Sequence, residues 1–182
     1  MSDEKARRLT FVPPSPEEEK QIRHGLAEYT NEQAVTRFFA GSYLLIAKGL
    51  RQEVFLLSSK LWKLFQQIHP HRHPYYLGLF VGNLTSKGLQ PSLSMLHHLA
   101  DDIKDSAKLI VNLKGEQRFL YGQSLTNHHV VTIPTDLQKD QKMLVMNKHH
   151  DGLGYGRLRR TKPEKITITN QLDLGWYLRR GR

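Results

Sequence analysis

The chain has 182 residues, of which 38% are hydrophobic and 24% charged, with no cysteine and a formal net charge of +10. This composition is typical of a folded globular protein, and it excludes disulfides, cysteine-ligated zinc and thiol nucleophiles. No apolar run is long enough to cross a bilayer, and the polar, charged residues 1–8 do not form a secretory signal.

The positive charge is concentrated in the C-terminal part of the chain. Residues 1–105 contain 13 Lys and Arg against 11 Asp and Glu, whereas residues 106–182 contain 14 against 6. Such a surface attracts polyanions, and the phosphate backbones of nucleic acids are the commonest ones in cells. The asymmetry favours nucleic-acid binding by residues 106–182, with a merely solvated cationic surface as the alternative.

The first elements are a flexible arm and a capped helix. Residues 1–14 are predicted to be the arm. A helix follows, because Ser15 can cap it, Pro16 suits its first turn and Glu18 completes a capping box. We expect this helix to end near Asn31.

The pattern that follows predicts a mixed sheet with helices on it, an α/β domain over residues 15–105. Strands are predicted at 35–40, 43–47, 54–57 and 76–84, the first two joined as a hairpin at Gly41-Ser42. Helices are predicted at 59–68 and 91–103.

The C-terminal part changes character near residues 104–107. Many short strands with two small helices predict a compact barrel over residues 106–182. The strands are expected at 108–113, 130–133, 143–147, 153–158 and 166–169, and the helices at 116–121 and 174–178.

Three motifs resemble a known family. They are Leu-Gly-Leu-Phe-Val-Gly at 77–82, Glu-Gln-Arg-Phe-Leu-Tyr-Gly at 116–122, and Gly-Leu-Gly-Tyr-Gly at 152–156, the last followed by a basic stretch and by Asp-Leu-Gly-Trp-Tyr-Leu-Arg-Arg at 173–180. In this order the chain resembles the Nip-seven family of archaeal and eukaryotic factors of large ribosomal subunit biogenesis. The resemblance implies an α+β protein in which an N-terminal α/β pre-PUA domain precedes a C-terminal PUA pseudo-β-barrel that binds RNA, without catalysis or a cofactor.

The candidate RNA-binding residues are the cations of the C-terminal part. Arg157 and Arg159 share one face if their segment is a strand, and arginine forks suit phosphate oxygens and unpaired bases. Of the aromatic residues, only Tyr155 is a candidate for stacking on a base, because Phe119 is expected in the core. The full set is Lys148, Tyr155, Arg157, Arg159, Arg160, Lys162, Lys165, Arg179 and Arg180.

Metal binding and catalysis have little support in the sequence. His69, His71 and His73 alternate, but Pro70 and Pro74 interrupt the run, so a surface loop is favoured over a zinc site. The aspartates at 101, 102 and 105 are expected to be a solvated helix end. No phosphate-binding loop or nucleophile elbow is present in the sequence.

The leading hypothesis is a non-catalytic, monomeric assembly factor that binds precursor ribosomal RNA, expected to be single-stranded and rich in uridine. Its N-terminal domain would bind other assembly or RNA-processing proteins, and no membrane is involved. The alternative is an RNA-modification protein that uses its PUA domain to deliver tRNA or rRNA substrate; a structural ribosomal protein is a third, weaker hypothesis. The expected location is the cytoplasm for an archaeal protein and the nucleolus for a eukaryotic one.

Overall fold

The structure is a computed structural model that describes residues 10–68, 74–134, 137–162, 165–176 and residue 179, with only the backbone of residues 160–162. The chain divides into an N-terminal unit up to residue 98 and a C-terminal unit from residue 99 onwards, which also takes in residues 28–30. The domain boundary at 105/106 stays a prediction. Within these described ranges, no helix has both the length and the apolar character needed to cross a membrane.

The N-terminal unit is an antiparallel sheet with helices on it. Its strands lie in the order β1-β2-β3-β4-β5. The strands are β1 (Thr10–Val12), β2 (Ser42–Lys48), β3 (Gln52–Ser58), β4 (Leu79–Thr85) and β5 (Gly88–Pro91). The helices are α1 (Pro16–Ala27), α2 (Glu32–Phe39), α3 (Ser59–Ile68) and α4 (Leu93–His98).

The predicted capping box at the start of α1 is confirmed. The backbone N–H of Ser15 donates to the Glu18 carboxylate at 2.8 Å, and the N–H of Glu18 donates to the Ser15 hydroxyl at 3.2 Å. Further along α1, Gly25 lies against Leu89 of β5, so closely that the helix has no room there for a larger side chain. This contact fixes α1 on the sheet.

The predicted strand at 35–40 is wrong, because this segment is the helix α2. Asn31 caps the helix, with its side-chain oxygen accepting from the N–H of Ala34 at 2.9 Å. Ala34, Val35 and Phe39 are buried on one face, which is helical rather than alternating spacing. The hairpin therefore joins β2 to β3, with Ser42 opposite Ser58 and Lys48 opposite Gln52.

The predicted helix at 91–103 is shorter in the structure. Residues 88–91 form β5, which pairs with β4 through a tight turn. The helix α4 covers only Leu93–His98, and a single 3-10 turn follows at Ala100–Asp102. Gly88, at φ 99°, starts β5 in a conformation that glycine tolerates best.

The C-terminal unit is a wrapped sheet around one core. Its strands lie in the order β7-β11-β10-β9-β6-β8, antiparallel except for the pair β6–β9. They are β6 (Lys108–Val111), β7 (Leu125–Thr126), β8 (Val130–Thr132), β9 (Lys142–Met146), β10 (Gly152–Lys162) and β11 (Lys165–Asp173), with helix α5 (Leu113–Leu120). The core includes Leu109, Phe119, Val145, Leu158 and Ile168, so strands and helix all contribute to it.

Candidate nucleic-acid interface

The long ribbon of β10 and β11 places Arg157 and Arg159 on one face. Leu158 lies opposite Ile168 in the register, and both side chains are in the core. Successive side chains of a strand point to opposite faces. Arg157 and Arg159 therefore point away from the core, as the strand pattern predicted.

Gly154 and Gly156, near the start of β10, pack against the neighbouring strand β11. A Cβ at Gly154, where φ is 156°, would overlap with the carbonyl oxygen of Leu172, and a Cβ at Gly156 would press on Ile168. The space beside these two glycines is therefore filled by β11. They allow β10 and β11 to approach closely, which positions the arginines that follow.

Tyr155 is buried beneath Tyr29 and is 7% exposed. The two rings meet edge to face, with centroids 6.0 Å apart. Burial raises the pKa of Tyr155 to about 12. Burial also raises the pKa of Tyr29, and the neighbouring Tyr155 and Glu28 raise it further, whereas Arg157 lowers it. A buried ring offers no face to a base, so Tyr155 has a packing role.

Lys142 of β9 is held beside the same tyrosines. It lies opposite Arg157 in the register, its ammonium lies 5.7 Å from the centre of the Tyr29 ring, and it forms an ion pair with Glu28. Lys142, Tyr29 and Glu28 are not among the candidate residues that the sequence indicates. The contacts of Lys142 with Glu28 and Tyr29 join residues far apart in the chain, so no local sequence pattern predicts them.

Arg159 forms an ion pair with Asp140 at 2.5 Å. The Arg159 side chain is 54% exposed and that of Asp140 is 37% exposed. Asp140 adopts φ 63° in the turn before β9, and its N–H donates to the carbonyl of Leu158 at 3.1 Å. Exposed pairs of this kind contribute only about 0–1 kcal/mol, so the carboxylate holds Arg159 only weakly.

Lys148 lies at the tip of the β9–β10 turn. Asn147 is 7% exposed, and its side-chain oxygen accepts from the N–H groups of His149 and Asp151 at 2.9 and 3.0 Å. The side chain thereby stands in for a backbone turn. Lys148, His149 and His150 are exposed on this loop.

Arg179 has a structural role that the sequence did not predict. Its guanidinium donates to both carboxylate oxygens of Asp173, at 2.9 and 2.8 Å, and also to the carbonyl oxygen of Leu120. Asp173 is 1% exposed. The hydrogen bonds between Arg179 and Asp173 raise the pKa of Arg179 above its ordinary value. This arginine ties the end of β11 to the end of α5.

The remaining candidate cations are Lys165, Arg160, Lys162 and Arg180. Lys165 is exposed at the start of β11, opposite Lys162 across the ribbon. The side chains of Arg160 and Lys162, and all of Arg180, lie outside the described residues. The predicted helix at 174–178 also falls partly outside them, with Trp176 and Arg179 helical.

Tyr121, which was set aside in favour of Tyr155 as a stacking candidate, is an exposed aromatic residue of this unit. It is 72% exposed at the end of α5, whose Lys114 and Arg118 are exposed as well. Arg118 donates to the carbonyl of Ser124 at 2.8 Å. The burial of Phe119 two residues earlier was the available signal, because on a helix positions 119 and 121 face different sides.

The sequence-based expectations on metal binding and catalysis concern residues outside this surface. His69, His71 and His73 lie outside the described residues. Across the described ranges, no three His, Cys, Asp or Glu side chains are grouped so as to hold a metal ion. Asp105 pairs with Lys108 at 3.3 Å, and Asp101 is exposed.

Two family models match the chain, one for each part. The model described as NIP7/UPF0113, pre-PUA domain, matches residues 12–93, and the model described as UPF0113 PUA domain matches residues 107–182. Together they span most of the sequence, in the order that the three motifs implied.

Two curated proteins are similar along much of their length. The chain is 27% identical over 175 residues to a UPF0113 protein of Aeropyrum pernix, covering 96% of this chain and 94% of that protein. It is 26% identical over 137 residues to the 60S ribosome subunit biogenesis protein nip7 of Schizosaccharomyces pombe, covering 71% of this chain and 74% of that protein.

Solved structures share the fold. A hypothetical protein of Pyrococcus horikoshii superposes with a TM-score of 0.59 at 13% identity, covering 93% of this chain and 99% of that one. A PUA domain structure from Aeropyrum pernix, in complex with tartrate, gives 0.59 at 14% identity, covering 94% and 89%. With its N-terminal pre-PUA domain and C-terminal PUA domain, the chain belongs to the NIP7/UPF0113 family.

Proposed function

We propose that this protein binds RNA through its PUA domain during assembly of the large ribosomal subunit. The observation that carries the proposal is the pair Arg157 and Arg159, which point outward from the β10–β11 ribbon in the more basic half of the chain. The biogenesis role rests on the similarity to nip7 of Schizosaccharomyces pombe.

The proposed contact surface consists of cations along the ribbon and the neighbouring turn. Arg157 and Arg159 would bind phosphate oxygens, and Lys148 would extend the surface along the RNA backbone. Release of counterions from that backbone would supply much of the affinity. Lys162 and Lys165, which lie opposite each other at the end of the ribbon, belong to the proposed surface, and Arg160 is included as the residue that follows Arg159. Tyr155 and Arg179 do not belong to it, because both are engaged within the protein.

The finer parts of the proposal concern the target and the partners. The RNA would be a single-stranded region of precursor ribosomal RNA, rich in uridine, since unpaired bases are open to arginine and aromatic side chains. The pre-PUA domain would bind other assembly proteins. The protein would act as a monomer and without catalysis.

Affinity for a single-stranded uridine 12-mer tests the proposal. The double change Arg159→Glu with Arg160→Glu should weaken binding strongly at about 100 mM salt, because it replaces attraction to phosphate with repulsion. Lys20→Glu with Lys87→Glu is the matched control, since both lysines are exposed cations of the N-terminal unit and the change in net charge is the same. Equal affinities of the two variants would contradict the proposed surface.

The alternative, an RNA-modification protein, has a direct test of its own. Transcribed ribosomal and transfer RNAs would be incubated with the protein and digested to nucleosides for mass spectrometry. A binding protein leaves every nucleoside mass and retention time unchanged. A modified nucleoside that appears only with the protein would support the enzymatic alternative.

A further inference from the structure

The N-terminal unit carries an exposed pair of stacked aromatic rings. Tyr43 of β2 and Trp62 of α3 lie with their ring centres 5.0 Å apart and their planes at 16°. Tyr43 is 43% exposed although Trp62 covers one side of its ring. Tyr43 is therefore partly accessible to solvent beside Trp62.

The hydrophobic core holds this pair from behind. Trp62 contacts Phe65 with ring centres 5.8 Å apart, and Phe65, which is 5% exposed, meets Phe11 edge to face at 6.0 Å. The stacked pair is thus anchored through successive ring contacts. A rigid aromatic surface loses little conformational entropy when a ligand binds to it.

A small cavity lies beside Tyr43. It has a volume of about 210 Å³, and Pro13, Arg23, Phe39 and Ser42 are among its walls. Small-molecule sites usually measure roughly 300–1,000 Å³, so this cavity suits a single planar ring.

The cavity has polar groups in fixed positions. The Arg23 guanidinium lies 5.0 Å from the centre of the Phe39 ring and pairs with Glu19 at 2.7 Å. In addition, β1 pairs with β2 only as far as Val12 opposite Ile46, so among the described strands none covers that edge of β2 at residues 42–44. Donors and acceptors are therefore available to the edge of a planar ring.

The charge next to the aromatic pair is positive. Lys60 and Lys63 are exposed on α3, and the helix contains no acidic residue. The hydroxyl of Ser59 donates to the carbonyl of Gly41 at 2.7 Å, which fixes the start of α3 beside the turn that leads to Tyr43. The helix that supplies Trp62 therefore carries net positive charge.

We propose that an unpaired nucleobase of single-stranded RNA stacks on Tyr43, with its edge in the cavity beside Arg23 and its flanking phosphates near Lys60 and Lys63. Stacked aromatic rings with flanking cations are the combination that binds unpaired bases with little sequence preference. An acidic peptide would need only the positive charge, whereas a nucleobase would also use the flat ring and the cavity of its own size. The site therefore fits a nucleobase better than an acidic peptide. This site is additional to the surface of the PUA domain.

Three ligands separate stacking from charge: a single-stranded uridine 12-mer, an abasic 12-mer with the same backbone, and a 12-base-pair RNA duplex. Tyr43→Ala should weaken binding of the single strand by about 5- to 100-fold and leave the other two unchanged. Tyr43→Phe should bind like the unchanged protein, whereas Tyr43→Leu, which keeps bulk without a ring, should behave like Tyr43→Ala. Tyr75→Ala is the control, since Tyr75 is a 79% exposed tyrosine of the same unit.

Photo-crosslinking separates this site from the PUA surface. A uridine 12-mer with one 4-thiouridine would be irradiated with the Arg157→Glu, Arg159→Glu variant, and the crosslinked peptides would be identified by mass spectrometry. Crosslinks to the peptide that contains Tyr43 are expected to persist in this variant. Two results would overturn the proposal. One is that the unchanged protein forms crosslinks only in its PUA domain, and the other is that Tyr43→Ala and Tyr75→Ala bind the single strand equally well. Loss of a protein partner in Tyr43→Ala would not rescue the proposal in either case.

Discussion

Arg179 and Asp173 form a two-pronged ion pair in which the carboxylate is almost completely buried. The same guanidinium donates to the carbonyl of Leu120, so the segment after β11 is tied to the end of α5. Gly175 lies between Asp173 and Arg179 in the sequence, at a place where the Cβ of any other residue would overlap with the carbonyl oxygen of Leu120. Asp173, Gly175 and Arg179 of the sequence motif therefore hold the segment after β11 against α5.

Removing Arg179 should destabilise the PUA domain. Arg179→Ala leaves the buried Asp173 carboxylate without its partner, and an uncompensated buried charge is strongly unfavourable. Arg179→Lys keeps the charge but loses the fork, so its loss of stability should be intermediate. Thermal unfolding measures both. Lys114→Ala, at an exposed cation of α5, should leave Tm nearly unchanged, and an equally small effect of Arg179→Ala would contradict the structural role.

Removing the Asp140 carboxylate, which would compete with RNA phosphates for Arg159, should strengthen RNA binding. Asp140→Asn takes away the carboxylate that pairs with Arg159, while asparagine tolerates the positive φ of this position. Because exposed ion pairs contribute about 0–1 kcal/mol, affinity for single-stranded RNA should rise by up to about fivefold. Fluorescence anisotropy with a labelled uridine 12-mer measures the change.

Asp105→Asn is the control for Asp140→Asn, because Asp105 is an exposed carboxylate that pairs with Lys108 instead. A weaker affinity for Asp140→Asn than for the unchanged protein would mean that Arg159 needs its carboxylate to bind RNA.

The turn at His129 should make stability depend on pH. Burial, with Arg118 and His128, lowers the pKa of His129, whose Nδ1 accepts from the N–H of Thr126 at 3.1 Å. The unfolded chain therefore takes up a proton more readily than the folded one. The contribution of His129 is complete above its unfolded pKa of about 6.5 and is lost as pH falls through the lower folded value.

Urea unfolding at about pH 7.5 and 5.5 measures this contribution, as values on either side of the ordinary histidine pKa. His129→Gln should reduce the fall in unfolding free energy between the two pH values. His149→Gln, at an exposed histidine outside this turn, should not. An equal fall in His129→Gln and in the unchanged protein would rule out His129 as the cause.

Local patterns predicted the elements of the fold better than they predicted the role of each candidate residue. The outward face shared by Arg157 and Arg159 followed from strand alternation alone. The strand predicted at 35–40 was wrong because Asn31, which caps α2, had been assigned to the end of α1. The burial of Tyr155 depends on Tyr29, which approaches from the other end of the chain, and no spacing within β10 encodes that contact.

The salt dependence of RNA affinity tests most directly whether Arg157 and Arg159 neutralise phosphates. Binding of a single-stranded uridine 12-mer would be measured between about 50 and 200 mM salt for Arg157→Gln with Arg159→Gln, and for the control pair Lys20→Gln with Lys87→Gln. The slope of log affinity against log salt should become shallower by about 1.4 in the arginine variant, or about 0.7 for each phosphate that is no longer neutralised, and stay unchanged in the control. An unchanged slope in the arginine variant would contradict binding of RNA at this surface.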